Sequence, residues 1–359
     1  MVKKSVTALL IIAFLFTLTA CTQNTLPEQP DNTAALEPAP AETGDVSEKP
    51  VFTPVTLIDQ AGRSVTVEKE PSRIVSGYYI STSACISLGL EDRLAGIEAK
   101  AGERNIYKLA APELLDLPNV GSAKEFDLEG CIALAPDLVI LPKKLQDSAE
   151  IISGLGIPVL LVSPESHEDL IEAVNLIAAS TGTEQRAGEL ISYYTDAEAK
   201  MKSLTEGAQK PVVYIAGNSS YLSTAPKDMY QASLIRAAGG QNAADSIEGD
   251  DWTEVSYEQL LSMDPEVIVI PAEASYTAQE LIGDPALAGV KAVKNKNVFV
   301  MPSSFEPWDS PVPSGILGTM WLASVLHEDL YSFDDFTGDV AAFYGRFYGF
   351  TVDTALITK

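Results

Sequence analysis

The chain is short of the residues that most often carry metal and redox chemistry: among its 359 residues are three cysteines and two histidines. Two histidines, His167 and His327, cannot build the histidine-rich cage that zinc or manganese prefers. Three cysteines are too few for a disulfide framework. Cys85 and Cys131 sit in apolar runs, Ser83–Leu90 and Gly130–Ala135, and read as buried thiols; a Cys85–Cys131 bridge is the alternative. Basic residues are scarce too, 24 against 50 acidic ones, for a formal charge of −26. Such a surface is a poor match for nucleic acid and for an anionic lipid surface. The chain also lacks Gly-x-Ser-x-Gly, His-Glu-x-x-His and a phosphate loop. A hydrolase working through paired carboxylates would escape that test, but acid pairs are abundant in so acidic a chain and say little.

What is present begins at the amino end. Lys3 and Lys4 precede an apolar run, Ala8–Ala20, too short for a membrane span of ~20 residues and suited to a secretory leader over 1–20. Leu18-Thr-Ala-Cys21 resembles a bacterial lipobox, in which the cysteine thiol is acylated after cleavage before it. The plainer alternative is an ordinary signal peptide with a chance cysteine. Residues 22–50 hold five prolines and six acidic residues against one lysine, a composition that cannot bury enough to order itself. Residues 21–52 therefore read as a lipidated tether. The folded part is placed outside the cytoplasm, touching the membrane through the acyl chain alone.

From Thr53 the pattern becomes structural. Val55–Asp59 and Ser64–Glu68 alternate around a Gly-containing turn, a hairpin signal. Short buried strands follow at 73–76, 94–97, 137–141 and 158–162, with helices at 82–90, 129–135 and 148–155 between them. Alternating strands and helices predict a parallel sheet covered on both faces. His167–Ala179 and Glu184–Leu204 show helical spacing, with Thr181-Gly182 between them; together, roughly 35 helical residues would span ~50 Å if straight at ~1.5 Å per residue. The first pattern then returns, with strands at 211–216, 266–270 and 298–301, and helices at 229–238, 257–262, 314–327 and 338–348. The organisation is an α/β lobe at 53–166, a connecting helix at 167–207 and a second α/β lobe at 208–359.

Two segments look alike: Asp127-Leu-Glu-Gly-Cys-Ile-Ala-Leu-Ala-Pro-Asp-Leu-Val-Ile140 and Val255-Ser-Tyr-Glu-Gln-Leu-Leu-Ser-Met-Asp-Pro-Glu-Val-Ile-Val269. Each is a short acidic helix, a proline-containing turn and a buried strand. With Arg73-Ile-Val-Ser76, Gly156-Ile-Pro158 and Trp252-Thr-Glu-Val-Ser-Tyr-Glu258 in this order, the chain resembles the helical-backbone class of ABC-importer substrate-binding proteins, from Thr53 to about Tyr348. That class carries vitamin B12, ferric siderophores, haem and, in one branch, molybdate or tungstate.

The resemblance implies two α/β lobes with parallel-type central sheets, joined by one long backbone helix and closing by a few degrees on a ligand between them. It implies no catalysis and no cofactor. The implied partners are an ABC permease and its ATPase, with the chain expected to act as a monomer. It places permease docking on Glu129 and Glu258, one per lobe, each meeting arginines. Ligand contacts are expected on loops at the strand ends: Tyr78, Tyr79, Lys100, Arg104, Lys124 and Lys143 in lobe one, and Asn218, Tyr221, Trp252 and Trp308 in lobe two. Rings beside cations suit a flat or anionic metal chelate, with rings stacking and cations neutralising. Plain solvent exposure of these loops, and of the two glutamates at helix starts, is the bland alternative.

Overall fold

The computed structural model describes residues 52–249, 251–271 and 273–359. The expected leader, Cys21 and the tether up to Val51 lie outside the described residues. A hairpin comes first: β1 (Val55–Ile58) pairs antiparallel with β2 (Ser64–Val67). Asp59 closes its turn, its carboxylate accepting from the amides of Ala61 and Arg63 and from the Arg63 guanidinium.

Lobe one is built from β3 (Ile74–Ser76), α1 (Tyr79–Ser87), β4 (Leu94–Ile97), α2 (Asn105–Ala110), α3 (Leu128–Ala133), β5 (Leu138–Pro142), α4 (Gln146–Gly154) and β6 (Val159–Val162). The four strands β3–β6 form one parallel sheet in the order β4-β3-β5-β6. Every residue of β3, β5 and β6 is buried, which is why these strands read as apolar runs without alternation.

Next come α5 (His167–Thr181) and α6 (Glu184–Leu204), and here the expected single helix over 167–207 is corrected. Gly182 takes φ 73°, a left-handed conformation that closes α5. The chain then turns back, so that His167 Nδ1 at the start of α5 lies 2.5 Å from Glu198 Oε1 late in α6. No 50 Å rod exists. The connector is α6 alone, 21 residues or ~32 Å, while α5 packs on lobe one against α1, β1 and β6.

Lobe two contains β7 (Val212–Ile215), β8 (Ser223–Thr224), α7 (Tyr230–Ala237), β9 (Gln241–Asn242), β10 (Thr253–Glu254), α8 (Tyr257–Met263), β11 (Val267–Ile270), α9 (Ala278–Gly283), α10 (Lys291–Asn295), β12 (Val298–Val300), α11 (Ile316–Leu326) and α12 (Phe333–Phe347). Its parallel sheet runs β12-β11-β7-β9, while β8 and β10 form a small antiparallel pair. Both sheets thus have one topology: the first strand is central, the second lies to one side, and the third and fourth to the other. By position β7 matches β3, α7 matches α1, and α8–β11 matches α3–β5, the two segments alike in sequence.

The largest apolar cluster is continuous between the lobes, running from Ile74 and Leu138 through Tyr194 of α6 to Ile316, Trp321 and Phe343. Smaller clusters lie around Val139 and Cys131 in lobe one and around Tyr214 and Ile268 in lobe two. Cys85 belongs to the shared cluster and Cys131 to the separate one, and both are free and buried, so the bridge does not form. Burial pushes the two thiols up, to about 12 and about 11, which makes them poor nucleophiles. Among the described residues no helix is long and apolar enough to cross a membrane.

Candidate functional site

A cleft of about 290 Å³ opens between the lobes where the carboxyl ends of β3, β6 and β7 point. Open parallel sheets bind ligands there, at the point where the strand order reverses. β3 and β7 are the strands at that point in their sheets.

In lobe one, Ser76 ends β3 and the chain turns through Gly77 into Tyr78, Tyr79 and Ile80, all three lining the cleft. Tyr78 and Tyr79 meet edge to face at 5.3 Å, and the Arg104 guanidinium lies over the Tyr79 ring at 4.0 Å. Behind them α1 is fastened by buried hydroxyls. Thr82 and Tyr107 donate to Glu98 at 2.6 and 2.7 Å, and Ser81 donates to the Tyr78 carbonyl at 2.8 Å. Burial raises the Glu98 carboxyl above the usual range, against these hydrogen bonds.

In lobe two the matching helix α7 brings Met229, Tyr230 and Gln231 to the cleft. Tyr230 is 4% exposed and its hydroxyl has no hydrogen-bond partner among the described residues. Position 315 is glycine because a Cβ there would strike that hydroxyl. Gln231 donates its Nε2 to the Asp309 carbonyl at 2.9 Å, while its buried Oε1 has no partner among the described residues. Asp309, also lining the cleft, is pushed up to about 6, mainly by burial, with Glu273 adding repulsion. Asn218, Trp252 and the carboxylates of Glu165, Asp228 and Asp251 complete the wall. Among the described lining residues there is no lysine or arginine. Nor, among the described residues, do three or more His, Cys, Asp or Glu side chains gather as a metal cage.

Of the sequence-predicted contacts, the structure brings Tyr78, Tyr79, Asn218 and Trp252 to one cleft. Arg104 stands one layer back, over Tyr79. The others are corrected. Trp308 is 1% exposed, donates Nε1 to the Tyr344 hydroxyl at 2.9 Å and packs edge-on to Phe336, so it offers no face to a ligand. Lys100 is exposed and points to Glu103 at 3.7 Å, while Lys124 and Lys143 are exposed and do not line the cleft. The Tyr221 hydroxyl donates to Asp284 at 2.9 Å, away from the cleft. Sequence reasoning missed Glu165, Asp228, Tyr230, Gln231 and Asp309. One signal for Tyr230 was available: it opens the first helix of the second lobe, as Tyr79 opens that of the first. The β8 insertion hides the correspondence.

A larger groove, about 780 Å³, flanks α6 between His167 and Arg236 and joins the cleft at Asp228 and Met229. It lies to the side of the strand ends, along α6 and α7. Glu129 and Glu258 sit in the first turns of α3 and α8, both exposed. Asp127 caps the one helix, and a Ser256–Gln259 capping box starts the other. Hydrogen bonds from its own backbone and from Ser256 hold the Glu258 carboxyl below the usual range.

The periplasmic binding protein family model matches residues 74–305, well over half of the chain and spanning both lobes. The chain belongs to that family. It is a substrate-binding component of ABC-transporter type. Among its relatives is the molybdate-binding protein MolA of Haemophilus influenzae, 26% identical over 323 residues, covering 81% of this chain and 90% of MolA. Another is YvrC of Bacillus subtilis, named as an uncharacterised ABC transporter substrate-binding lipoprotein, 27% identical with 73% and 82% covered. A periplasmic solute-binding protein structure from Veillonella parvula superposes with TM-score 0.74 at 26% identity, covering 84% of this chain and 95% of that one. These relatives are transport proteins rather than enzymes, and the fold is the two-lobed, helix-joined one the resemblance implied.

Proposed function

We propose that the protein is the lipid-anchored solute-binding component of an importer, and that it captures a metal chelate of the iron–siderophore, haem or corrinoid kind in the inter-lobe cleft. The observation that carries this is the lining: rings from Tyr78, Tyr79, Tyr230 and Trp252 beside the carboxylates of Glu165, Asp228, Asp251 and Asp309. Rings offer faces and edges to a flat complex, and the carboxylates favour a positive metal centre. This replaces the expectation that lysines would neutralise the ligand. The second reading is a bare oxyanion such as molybdate or tungstate. The relative named for molybdate supports it, and so do the two helix ends at the cleft floor.

Cys21 supplies the membrane anchor, and YvrC's name supports that reading. Glu129 and Glu258 dock the lobes on permease arginines, which exposed carboxylates can meet bidentately. The decisive experiment is mass and metal analysis of protein released by its native host. One organic chelator with one metal is expected; a lone oxyanion would overturn the chelate reading. Glu129→Ala with Glu258→Ala should leave ligand affinity unchanged and sharply reduce uptake. Undiminished uptake at normal expression would remove the docking assignment.

A further inference from the structure

The helix that carries Glu258 is joined to the cleft twice. The first join is covalent. Trp252 lines the cleft, the short strand β10 follows it at once, and α8 opens at Tyr257, beside Glu258. Along this path β10 pairs with β8, and the Val255 amide donates to the Leu222 carbonyl at 2.8 Å. The second join is a set of side-chain contacts. One carboxylate oxygen, Asp284 Oδ2, accepts from Tyr257 at 2.8 Å and from Tyr221 at 2.9 Å. The other, Oδ1, accepts from the Ala286 amide at 2.9 Å, which fixes the carboxylate on its own turn. The Tyr221 ring meets the Tyr276 ring edge to face at 5.3 Å. Tyr276 in turn donates to the Gly217 carbonyl at 2.8 Å. Beside it, the Ser275 amide donates at 2.7 Å to the carbonyl of Asn218, which lines the cleft. The contacts run unbroken from Asn218 to the residue next to Glu258.

Lobe one is built differently at the equivalent place. The segment leading to the helix of Glu129 is held by the chain after β4: the Ile97 amide donates to the Pro118 carbonyl at 3.1 Å and the Ala99 amide to the Gly121 carbonyl at 2.7 Å. Neither Ile97 nor Ala99 lines the cleft. Toward the cleft this segment offers the Phe126 ring, packed over Gly77. Apolar packing is non-directional and lets surfaces slide, whereas hydrogen bonds fix direction as well as distance.

Resting on the reading that Glu258 docks on the permease, we propose that Asp284 is a positioning residue for that docking. It locks the start of α8 to the Asn218 loop, so that lobe two, rather than lobe one, reports the state of the cleft to the permease. One oxygen serves both phenols, so neither tyrosine shifts without disturbing the bond of the other. Contiguous hydrogen-bonded elements of this kind carry coupling between sites, and the coupling is reciprocal: what loosens the loop loosens the helix.

The test uses the full chain with no solute added. Hydrogen exchange is followed over residues 217–223, over α8 and, as the reference, over α3. Tyr257→Phe removes only the bond made from α8, yet exchange should quicken about fivefold over 217–223 as well as over α8. Tyr221→Phe should quicken α8 to the same degree, and neither variant should alter α3. Asp284→Ala should match the two changes together, and Asp284→Asn, which keeps an acceptor oxygen, should fall between. Quickening confined to the segment that carries the substitution would mean local packing alone and overturns the tie. Binding to the purified permease with its ATPase is then measured. Tyr221→Phe and Asp284→Ala should weaken it about fivefold, although neither is the docking carboxylate, and Glu258→Ala should weaken it at least as much. Parental docking by Tyr221→Phe and Asp284→Ala, where Glu258→Ala docks poorly, overturns the positioning role and leaves the docking reading in place. Parental docking by Glu258→Ala removes the docking reading itself.

Discussion

The two walls of the cleft come from one topology used twice, and they differ in what they leave unfinished. In lobe one the helix after the central strand is closed from behind: Thr82 and Tyr107 donate to Glu98, and Ser81 to the Tyr78 carbonyl. In lobe two the equivalent helix carries a buried hydroxyl and a buried amide oxygen, on Tyr230 and Gln231, with no partner among the described residues. A satisfied network stiffens a wall, and unsatisfied groups raise the energy of the empty state. The difference teaches a division of labour. Lobe one holds the rings in place through a closed network, and lobe two leaves two buried polar atoms without a partner among the described residues.

The largest effect tests the support under the second wall. Trp308 precedes Asp309, which lines the cleft, and its ring fills the shared core. Trp308→Ala should cost about 3–5 kcal/mol in denaturant unfolding, with any loss of affinity following from that. A variant that melts like the parent yet loses ligand would return Trp308 to the site. Next, Glu98→Ala should cost about 2–4 kcal/mol, because two buried hydroxyls lose their acceptor; Glu98→Gln, which keeps an acceptor oxygen, should cost less than half as much. Equal losses would show that the carboxylate's charge, not its acceptor role, holds lobe one together.

Asp309 gives a pH test. Its carboxyl is raised from 3.8 to about 6, so between those values the folded chain holds a proton that the unfolded chain has released. Stability therefore falls as pH rises through that window. Asp309→Asn should remove this slope, gaining about 1–2 kcal/mol at neutral pH and nothing in strong acid. An unchanged slope in chemical unfolding at several pH values would assign it to other groups. The smallest effects compare the two walls directly. Tyr107→Phe should cost about 1 kcal/mol, since it breaks the bond to Glu98. Tyr230→Phe should cost nothing in the ligand-free protein and gain up to about 1 kcal/mol, since its hydroxyl has no partner among the described residues. Equal losses in thermal melts would erase the contrast.

Much of the architecture was legible in the chain because it rests on short-range rules. Apolar runs of four or five residues marked β5, β6, β7 and β11, since strands buried on both faces need no polar alternation. β9 was not legible: Gln241-Asn242 is a two-residue polar strand that joins the sheet only because β7 presents an open edge. The break at Thr181-Gly182 and the two helices beside it were legible; that the chain turns back there, so that the connector is α6 alone, was not, because only the return of α6 along α5 shows it. In the cleft, sequence found Tyr78, Tyr79, Asn218 and Trp252 because each lies just beyond a strand or beside the loops at its end. It could not find that Trp308 turns inward.

By itself, then, the sequence determined the α/β alternation, the two-lobed family and the acidity of the surface. These follow from local periodicity, from ordered blocks along the chain and from simple charge. Only the tertiary structure decided the character of the cleft. The lysines chosen from strand-end loops are exposed away from the cleft, while the carboxylates of Glu165, Asp228, Asp251 and Asp309 and the side chain of Tyr230 line it. The physical reason is that a side chain's direction is set by the packing of two helices from opposite lobes, and nothing in the neighbouring residues encodes where those helices meet.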